Sequence, residues 1–179
     1  MEKQTNFISK VFSSEGTTEC VTLTEVKTHL YIDTANTDFD TRLTALISEA
    51  RQYIEQITGR SLISRTVTAY FNYESEFGLP FGPLVSFTSA AAKDDVNSYE
   101  TQTLNSDYEV EAERFISYVG NWKYKLVYTV GYMPTTIPLG LKLALLNEIA
   151  KRFEHRGDEV QVLDTNDLII PYKDLEWLV

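Results

Sequence analysis

The chain has 179 residues, with 16 Lys or Arg against 26 Asp or Glu, so its formal net charge is −10. This length allows one well-buried domain with appendages. The acidic balance argues against tight binding along a nucleic-acid backbone, which needs clustered cations. The single cysteine, Cys20, excludes an internal disulfide and favours a reducing compartment. We find no signal-peptide pattern and no apolar run near the ~20 residues that span a bilayer, so we expect no membrane contact and an intracellular protein or particle component.

The N-terminal part of the chain predicts an arm followed by two helices. Residues 1–21 are polar and weakly patterned, and we interpret them as an N-terminal arm. Thr22 and Glu25 have the spacing of a capping box, which predicts a helix over 22–31. Thr37 as N-cap and Gly59 as the terminating residue predict a second helix over 38–58, whose apolar residues recur with helical period.

The middle of the chain changes from helical to alternating periodicity. Residues 62–132 contain five or six short runs rich in β-branched and aromatic residues, separated by turn residues. In the last run Leu126, Tyr128 and Val130 alternate with Val127 and Thr129, which is typical of a strand with one buried face. We therefore predict an antiparallel β unit over 62–132.

A third helix is predicted over 138–156. Pro138 suits the first helical position, where its missing N–H costs nothing. One apolar stripe has steps of four and three, and consists of Leu139, Leu143, Leu146, Ala150 and Phe153. The predicted fold is α+β, a mainly helical bundle of three helices with the inserted β unit and extended termini. Residues 22–157 then form a single domain.

The last 22 residues, 158–179, predict a C-terminal docking arm. They hold six acidic residues against one lysine, yet from position 168 onward they also carry several large apolar side chains. These are Leu168, Ile169, Ile170, Leu175, Trp177, Leu178 and Val179. Pro171 divides them and favours an extended arm over a helix. The alternative is that the arm folds back on the chain's own core.

Candidate chemistry is sparse. Cys20, His29 and Asp33 lie close in sequence but match no nucleophile motif, and surface or partly buried structural roles explain them better. Asp33, Asn36, Asp38 and Asp40 lack the spacing, glycine and closing glutamate of a calcium loop, and helix capping explains the last two. We therefore predict no catalytic residues, no metal site and no cofactor.

Two blocks of the sequence together resemble the head–tail connector (head-completion adaptor) family of tailed bacteriophages. The first is VTLTEVKTHLYID with DFDTRLTALISEARQYIEQITGRSLI, at 21–33 and 38–63, and the second is YTVGYMPTTIPLGLKLALLNEIAKRFEHRGDE, at 128–159. Residues 64–125 match the family weakly. The positions that carry the family pattern are Leu23, Lys27, Leu30, Gly59, Gly131, Tyr132, Pro138, Phe153 and Arg156.

The resemblance implies a structural virion protein at the head–tail junction, assembled in the cytoplasm of a bacterial host, and not an enzyme. It implies a dodecameric ring that binds the phage portal protein on one side and a downstream neck, stopper or tail protein on the other. DNA would pass through the bore without specific binding, and an acidic chain suits a channel in which DNA slides.

Two questions stay open at the level of sequence. A further apolar stripe of the third helix, Leu141, Leu145 and Ile149, could form a ring interface or belong to the core. A β-sandwich ligand-binding protein or enzyme is an alternative to the connector, although no set of titratable residues supports it. A small DNA-packaging subunit is a third reading, but it would need a basic recognition helix, which the chain lacks.

Overall fold

We describe a computed structural model of the chain over residues 7–14, 16, 18–72, 76–93, 98–118, 122–154 and 166–173. The chain divides into two compact units. The first, here called the sheet unit, consists of the chain up to Gly16 together with Ser64–Gly131. The second, here called the helical unit, consists of Thr17–Ile63 together with the chain from Tyr132 onward. The units are therefore interleaved in sequence.

The sheet unit is built on a five-stranded sheet with the order β1-β2-β8-β4-β5. Its strands are β1 (Phe7–Ser14), β2 (Arg65–Asn72), β4 (Leu84–Lys93), β5 (Glu100–Thr101) and β8 (Lys123–Val130). All pairings are antiparallel. Every second residue of β2 and of β8 is buried, because successive side chains of a strand point to opposite faces of a sheet.

A smaller sheet with the order β3-β7-β6 accompanies it, formed by β3 (Glu76–Gly78), β7 (Arg114–Ser117) and β6 (Tyr108–Glu111). Aromatic rings join the two sheets. Phe77 of β3 stacks on Phe71 of β2 with ring centroids 4.1 Å apart, and Phe115 of β7 lies 5.2 Å from Tyr124 of β8. These four rings are at most 5% exposed, so the aromatic residues of this unit form its core.

The helical unit begins with α1 (Leu23–His29) and α2 (Asp40–Thr58). The capping box predicted at the start of α1 is present, because Thr22 Oγ1 accepts from Glu25 N and Glu25 Oε2 accepts from Thr22 N. Gly59 ends α2 in the left-handed region, with φ of 71°, a conformation that glycine adopts without the penalty of a side chain.

The third helix, α3 (Leu139–Glu154), supplies the centre of the helical core. Its buried residues Leu141, Leu145 and Ile149 pack with those of α2, among them Leu43 and Ile54. A short helix, α4 (Asn166–Ile169), and a 3-10 turn (Ile170–Tyr172) follow, and Ile169 enters the same core. Among the described residues, no helix has the length and apolar character needed to cross a bilayer.

The α+β class and the antiparallel sheets are confirmed, but the prediction of a mainly helical fold with three helices is not. Strands are about as common as helices, and the described part of the chain contains four α-helices. The N-terminal arm contains a strand, β1, whose sequence FISKVFSS places apolar residues in pairs and so hides the alternation of a strand. Helix α2 starts at Asp40 with Phe39 as its N-cap, so the prediction of Thr37 as N-cap is wrong.

The prediction of an extended C-terminal arm is wrong for residues 166–172, which are helical. Pro171 occupies the first turn of the 3-10 helix, where no partner for its missing N–H is required. The helix predicted over 138–156 is described as far as Glu154, and its last two residues lie outside the described part of the chain.

Candidate docking surfaces

A buried lysine organises the loop between α1 and α2. Lys27 is 3% exposed, and its ammonium group lies 2.7 Å from the carbonyl oxygen of Asn36 and 3.2 Å from that of Thr34. It also lies 2.5 Å from Asp40 Oδ1 at the start of α2. The buried ammonium group of Lys27 therefore holds the loop between α1 and α2 in place. This contact is a structural reason for a lysine at position 27, which is one of the positions that carry the resemblance described above.

The same loop presents an exposed aromatic ring. Helix α1 ends in a Schellman motif, in which Tyr31 N donates to Thr28 O and Ile32 N donates to Lys27 O. Glycine usually occupies the left-handed position of this motif, but here it is Tyr31, with φ of 56°. Its side chain is 98% exposed. The loop thus holds a tyrosine in a strained conformation without burying its ring.

A second buried cation joins the entry of the helical unit to α2. The guanidinium of Arg51 donates to Glu19 Oε2 at 2.9 Å and to Glu55 Oε2 at 2.9 Å. Glu55 also accepts from the backbone N of Leu62 at 2.8 Å. This charged network replaces the hydration of its members with hydrogen bonds, so we assign it to the framework and not to a docking surface.

Helix α3 has two apolar faces with different environments. The inner face contains the predicted ring-interface residues Leu141, Leu145 and Ile149, and each is 0% exposed. Their side chains are enclosed in the core of the subunit, which is the alternative that the sequence left open. The outer face contains Leu139, which is 79% exposed, and Leu143, which is 40% exposed. Of the stripe that the sequence indicated first, Leu139 and Leu143 are thus exposed, whereas Leu146 and Phe153 pack partly buried against the helical core.

The seven residues predicted to bind a partner fall into three groups. Ile169 is 0% exposed and Leu168 packs partly buried against the helical core, so both belong to the subunit itself. Ile170 is 56% exposed and is available for contact. Leu175, Trp177, Leu178 and Val179 lie outside the described residues.

The described C-terminal residues are fixed at a defined place. Arg60, just after α2, donates from Nε to the carbonyl oxygen of Tyr172 at 2.8 Å. The ring of Tyr172 lies so close to Gly140 of α3 that a Cβ atom there would come within 2.9 Å of the tyrosine oxygen. The 3-10 turn is thus held by α3 and by the end of α2, and residues 174–179 continue from this anchored point.

The candidate nucleophile is not reactive in this setting. Cys20 is buried, its Sγ donates to the carbonyl oxygen of Leu62, and burial raises the pKa of the thiol to about 12. At neutral pH it is therefore protonated. Asp33 Oδ1 accepts from Ala35 N and Asn36 Oδ1 accepts from Asp38 N, so these side chains shape the loop. The described residues contain no cluster of three or more His, Cys, Asp or Glu side chains that could hold a metal ion.

The sequence matches the model of a known protein family over part of its length. The family described as phage gp6-like head-tail connector protein matches residues 20–121, which is more than half of the chain. The match includes the first block of the resemblance described above and extends through residues 64–121, so it also covers most of the part whose motifs resemble the family weakly. The second block, at 128–159, lies outside it. No match to a curated protein sequence reaches significance.

Three solved structures have a similar fold, each covering 93% of this chain and 95% of its own. The first is the neck of an empty gene transfer agent (GTA) particle computed with C6 symmetry, with 17% sequence identity and a TM-score of 0.76. The second is the virion of a native GTA particle, with 18% identity and a TM-score of 0.76. The third is the neck of a native GTA particle computed with C12 symmetry, with 17% identity and a TM-score of 0.73. At such low identity the likeness establishes the fold.

Proposed function

Because the chain belongs to the phage gp6-like head-tail connector family and is therefore a structural connector of the virion, we propose that it forms a ring between the portal protein of the head and the next neck, stopper or tail protein. The family match over residues 20–121 is the observation that carries this proposal. The likeness to subunits of necks with C6 and C12 symmetry supports a closed ring, with twelve copies as the expected number. Such a ring closes by a heterologous contact repeated around an axis.

The bore of this ring is proposed to let DNA pass without gripping it. The net charge of −10 favours repulsion of a phosphate backbone. Several cations of the helical unit are also engaged by carboxylates of the chain. Arg51 binds Glu19 and Glu55, and Lys142 binds Glu25. We therefore expect negligible affinity for duplex DNA at physiological salt, and no steep dependence on salt concentration.

We propose no catalytic activity for the ring. The one cysteine is held as a neutral thiol by burial, and its Sγ is already engaged by the Leu62 carbonyl. The buried tyrosines of the sheet unit are likewise inaccessible to solvent. Tyr124 and Tyr128 are 0% exposed, and burial raises the pKa of both phenols. We therefore assign this cysteine and these two tyrosines to packing.

The end of the chain is proposed as a docking arm that reaches the portal or a neighbouring subunit. Its root is fixed by Ile169 in the core and by the Arg60–Tyr172 hydrogen bond. Beyond this root, Leu175, Trp177, Leu178 and Val179 are apolar anchors, and Trp177 is the residue type that most often dominates interfaces. The acidic residues between them would set orientation against basic groups of the partner.

Imaging by electron microscopy of the purified protein, alone and mixed with portal-bearing heads that lack it, tests the proposal. We expect rings coaxial with the portal vertex. Removing residues 174–179 should keep the thermal stability of the subunit and abolish attachment to heads, and Trp177→Ala should weaken attachment by about 2 kcal/mol or more.

Tyr118→Ala is the control for Trp177→Ala, because it removes a ring that is 53% exposed in the sheet unit. We expect this variant to attach normally. Absence of rings under all of these conditions would refute the connector ring. Normal attachment of the truncated chain would refute the arm alone and leave the ring intact.

A further inference from the structure

The loop between α1 and α2 exposes an aromatic side chain almost completely. Tyr31 is 98% exposed, whereas its neighbours Leu30 and Ile32 pack partly buried against the helical core. The backbone is also fixed on both sides of the side chain. Tyr31 N donates to Thr28 O at 3.2 Å, and Ile32 N donates to Lys27 O at 2.9 Å. The point from which the phenol projects into solvent is therefore set by the fold.

This tyrosine is unfavourable for the stability of the subunit. Its φ of 56° lies in the left-handed region, where a bulky side chain crowds the backbone and where glycine is the usual residue after a helix. The phenol buries almost no surface in return. Residues held in an unfavourable backbone conformation cluster at sites of function, so this exposed side chain indicates contact with another molecule.

The remainder of the loop is fixed before any partner binds. The buried ammonium group of Lys27 binds the carbonyl oxygens of Thr34 and Asn36. The same group lies 2.5 Å from Asp40 Oδ1. Asn36 N also donates to Asp33 O at 3.0 Å. A partner therefore meets a loop that needs little further ordering, which lowers the entropy lost on binding.

The charges beside Tyr31 select the chemistry of the partner. Residues 31–40 contain three aspartates and no lysine or arginine. Asp40 is engaged by Lys27. Asp33 and Asp38 are exposed and form no ion pair with any other described residue. Carboxylates beside a phenol repel a phosphate backbone and complement lysine or arginine side chains, so the loop fits an apolar pocket with a basic rim.

We infer that Tyr31 is an anchor by which the subunit docks on another protein of the virion, whose surface has a pocket rimmed by lysine or arginine side chains. The inference rests on the proposed connector ring, because a ring between head and tail adjoins other proteins. Tyrosine is among the residues that most often dominate interfaces, and an aromatic anchor within a polar rim is a common arrangement of such sites. The residues involved differ from those of the proposed C-terminal arm.

Photo-crosslinking identifies the partner. The full-length chain with p-benzoylphenylalanine in place of Tyr31 is assembled into particles and irradiated, and the products are identified by mass spectrometry. We expect position 31 to be joined to another protein of the virion. A cross-link to DNA or to a second copy of this chain, or no cross-link in particles that carry the connector ring, would overturn the inference.

Tyr31→Gly separates docking from folding. Glycine adopts the left-handed conformation without a side chain that crowds the backbone, so the melting temperature of the subunit should stay the same or rise. In mixtures of the purified chain with tails and with heads that lack it, the yield of joined particles should fall about tenfold or more, because the anchor is lost. A sharp fall in the melting temperature would show that Tyr31 serves the fold, which would refute the inference.

Tyr118→Ala is the control for Tyr31→Gly. It removes a phenol that is 53% exposed in the sheet unit, at a residue whose φ is not in the left-handed region, so alanine causes no strain there. We expect this variant to join heads to tails normally. An equal loss of joined particles in both variants would mean that Tyr31 has no particular role.

The charge of the loop is tested separately. Asp33→Asn combined with Asp38→Asn keeps side-chain oxygens that accept hydrogen bonds and removes two negative charges. The yield of joined particles should then fall at low ionic strength, and the difference from the unchanged chain should shrink as salt is added. Equal yields at every salt concentration would refute a basic partner.

The outcomes separate this inference from the proposed function. If the unchanged chain neither forms a connector ring nor joins heads to tails, the two fail together. If the unchanged chain does both and Tyr31→Gly does both equally well, the inference about Tyr31 alone fails.

Discussion

The guanidinium Nε of Arg60 donates to the carbonyl oxygen of Tyr172 at 2.8 Å, across 112 positions of the sequence. Arg60 follows the glycine that ends α2, so its backbone position is set by the helix terminus. The contact ties the last described turn of the chain to the first half of the helical unit. This hydrogen bond and the burial of Ile169 together fix the root of the proposed docking arm.

Arg60→Ala should loosen this root. We expect a loss of about 1 kcal/mol in the free energy of unfolding, because the half-buried carbonyl loses a charged donor. Limited proteolysis should then cut within 166–173 faster than in the unchanged chain. Arg114→Ala is the control, because Arg114 pairs with Glu76 at the surface, both side chains being about half exposed, and such pairs contribute little. Equal proteolysis of both variants would contradict the role of Arg60.

Lys27→Met should destabilise the subunit by about 2–4 kcal/mol. The methionine fills a similar volume, but it leaves the carbonyl oxygens of Thr34 and Asn36 and the carboxylate of Asp40 without their cation. Chemical denaturation gives the measurement. Lys142→Met, which breaks a half-exposed pair with Glu25, should cost less than about 1 kcal/mol. Similar losses of unfolding free energy in the two variants would mean that the burial of Lys27 does not increase the contribution of its contacts to stability.

The stability of the subunit should depend on the charge of Glu25. The hydrogen bond from Lys142, followed by that from Thr22 N, holds the pKa of this carboxyl below its ordinary value of 4.5. A carboxyl whose pKa is lowered by folding binds protons more readily in the unfolded chain. Its contribution is therefore complete above the unfolded pKa and is lost as the pH falls through the folded pKa.

Glu25→Gln tests this sign, since glutamine keeps the shape of the capping box without the charge. We expect the unchanged chain to melt at a higher temperature than the variant at pH 7, and the difference to shrink as the pH falls below about 4. A difference that stays constant from pH 7 to pH 3 would show that the charge of Glu25 contributes nothing.

Two leucines of α3, one buried and one exposed, test which side of the helix faces the core. Leu145→Ala removes a side chain that is 0% exposed and should cost about 2–5 kcal/mol in subunit stability. Leu143→Ala removes the same atoms from a side chain that is 40% exposed and should cost less than about 1 kcal/mol. Thermal unfolding of both variants under identical conditions checks this, and a reversed order would mean that the faces are interchanged.

Elements with strong local signals could be predicted from the sequence, and the others could not. The capping box at Thr22 and the terminating Gly59 located α1 and the end of α2, and alternation located β8. In α3 apolar residues occur on both sides, so periodicity alone could not decide which stripe faces the core. That choice depends on the packing of α3 against α2, which is a tertiary contact.

The features of the candidate docking surfaces could likewise be predicted from the sequence only in part. Nothing local in the sequence indicated that Lys27 would be buried among the carbonyls of the loop at 33–40. Tyr31 was not singled out, although a Schellman motif can be anticipated where a helix pattern stops. Helix α4 is short and strand β1 lacks clear alternation, so both depend on contacts with distant parts of the chain.

The interleaving of the two units has a consequence for how the protein is made. Each unit is assembled from two stretches of chain, so the polypeptide passes from one to the other at 16/17, 63/64 and 131/132. During synthesis β1, α1 and α2 emerge early, but the core of the helical unit lacks α3 until the final third of the chain has left the ribosome. Premature termination after β8 would leave Leu43, Ile47 and Ile54 of α2 with their apolar surface in water. The last third of the polypeptide is therefore needed to close the helical unit, and a chain that lacks it cannot complete that core.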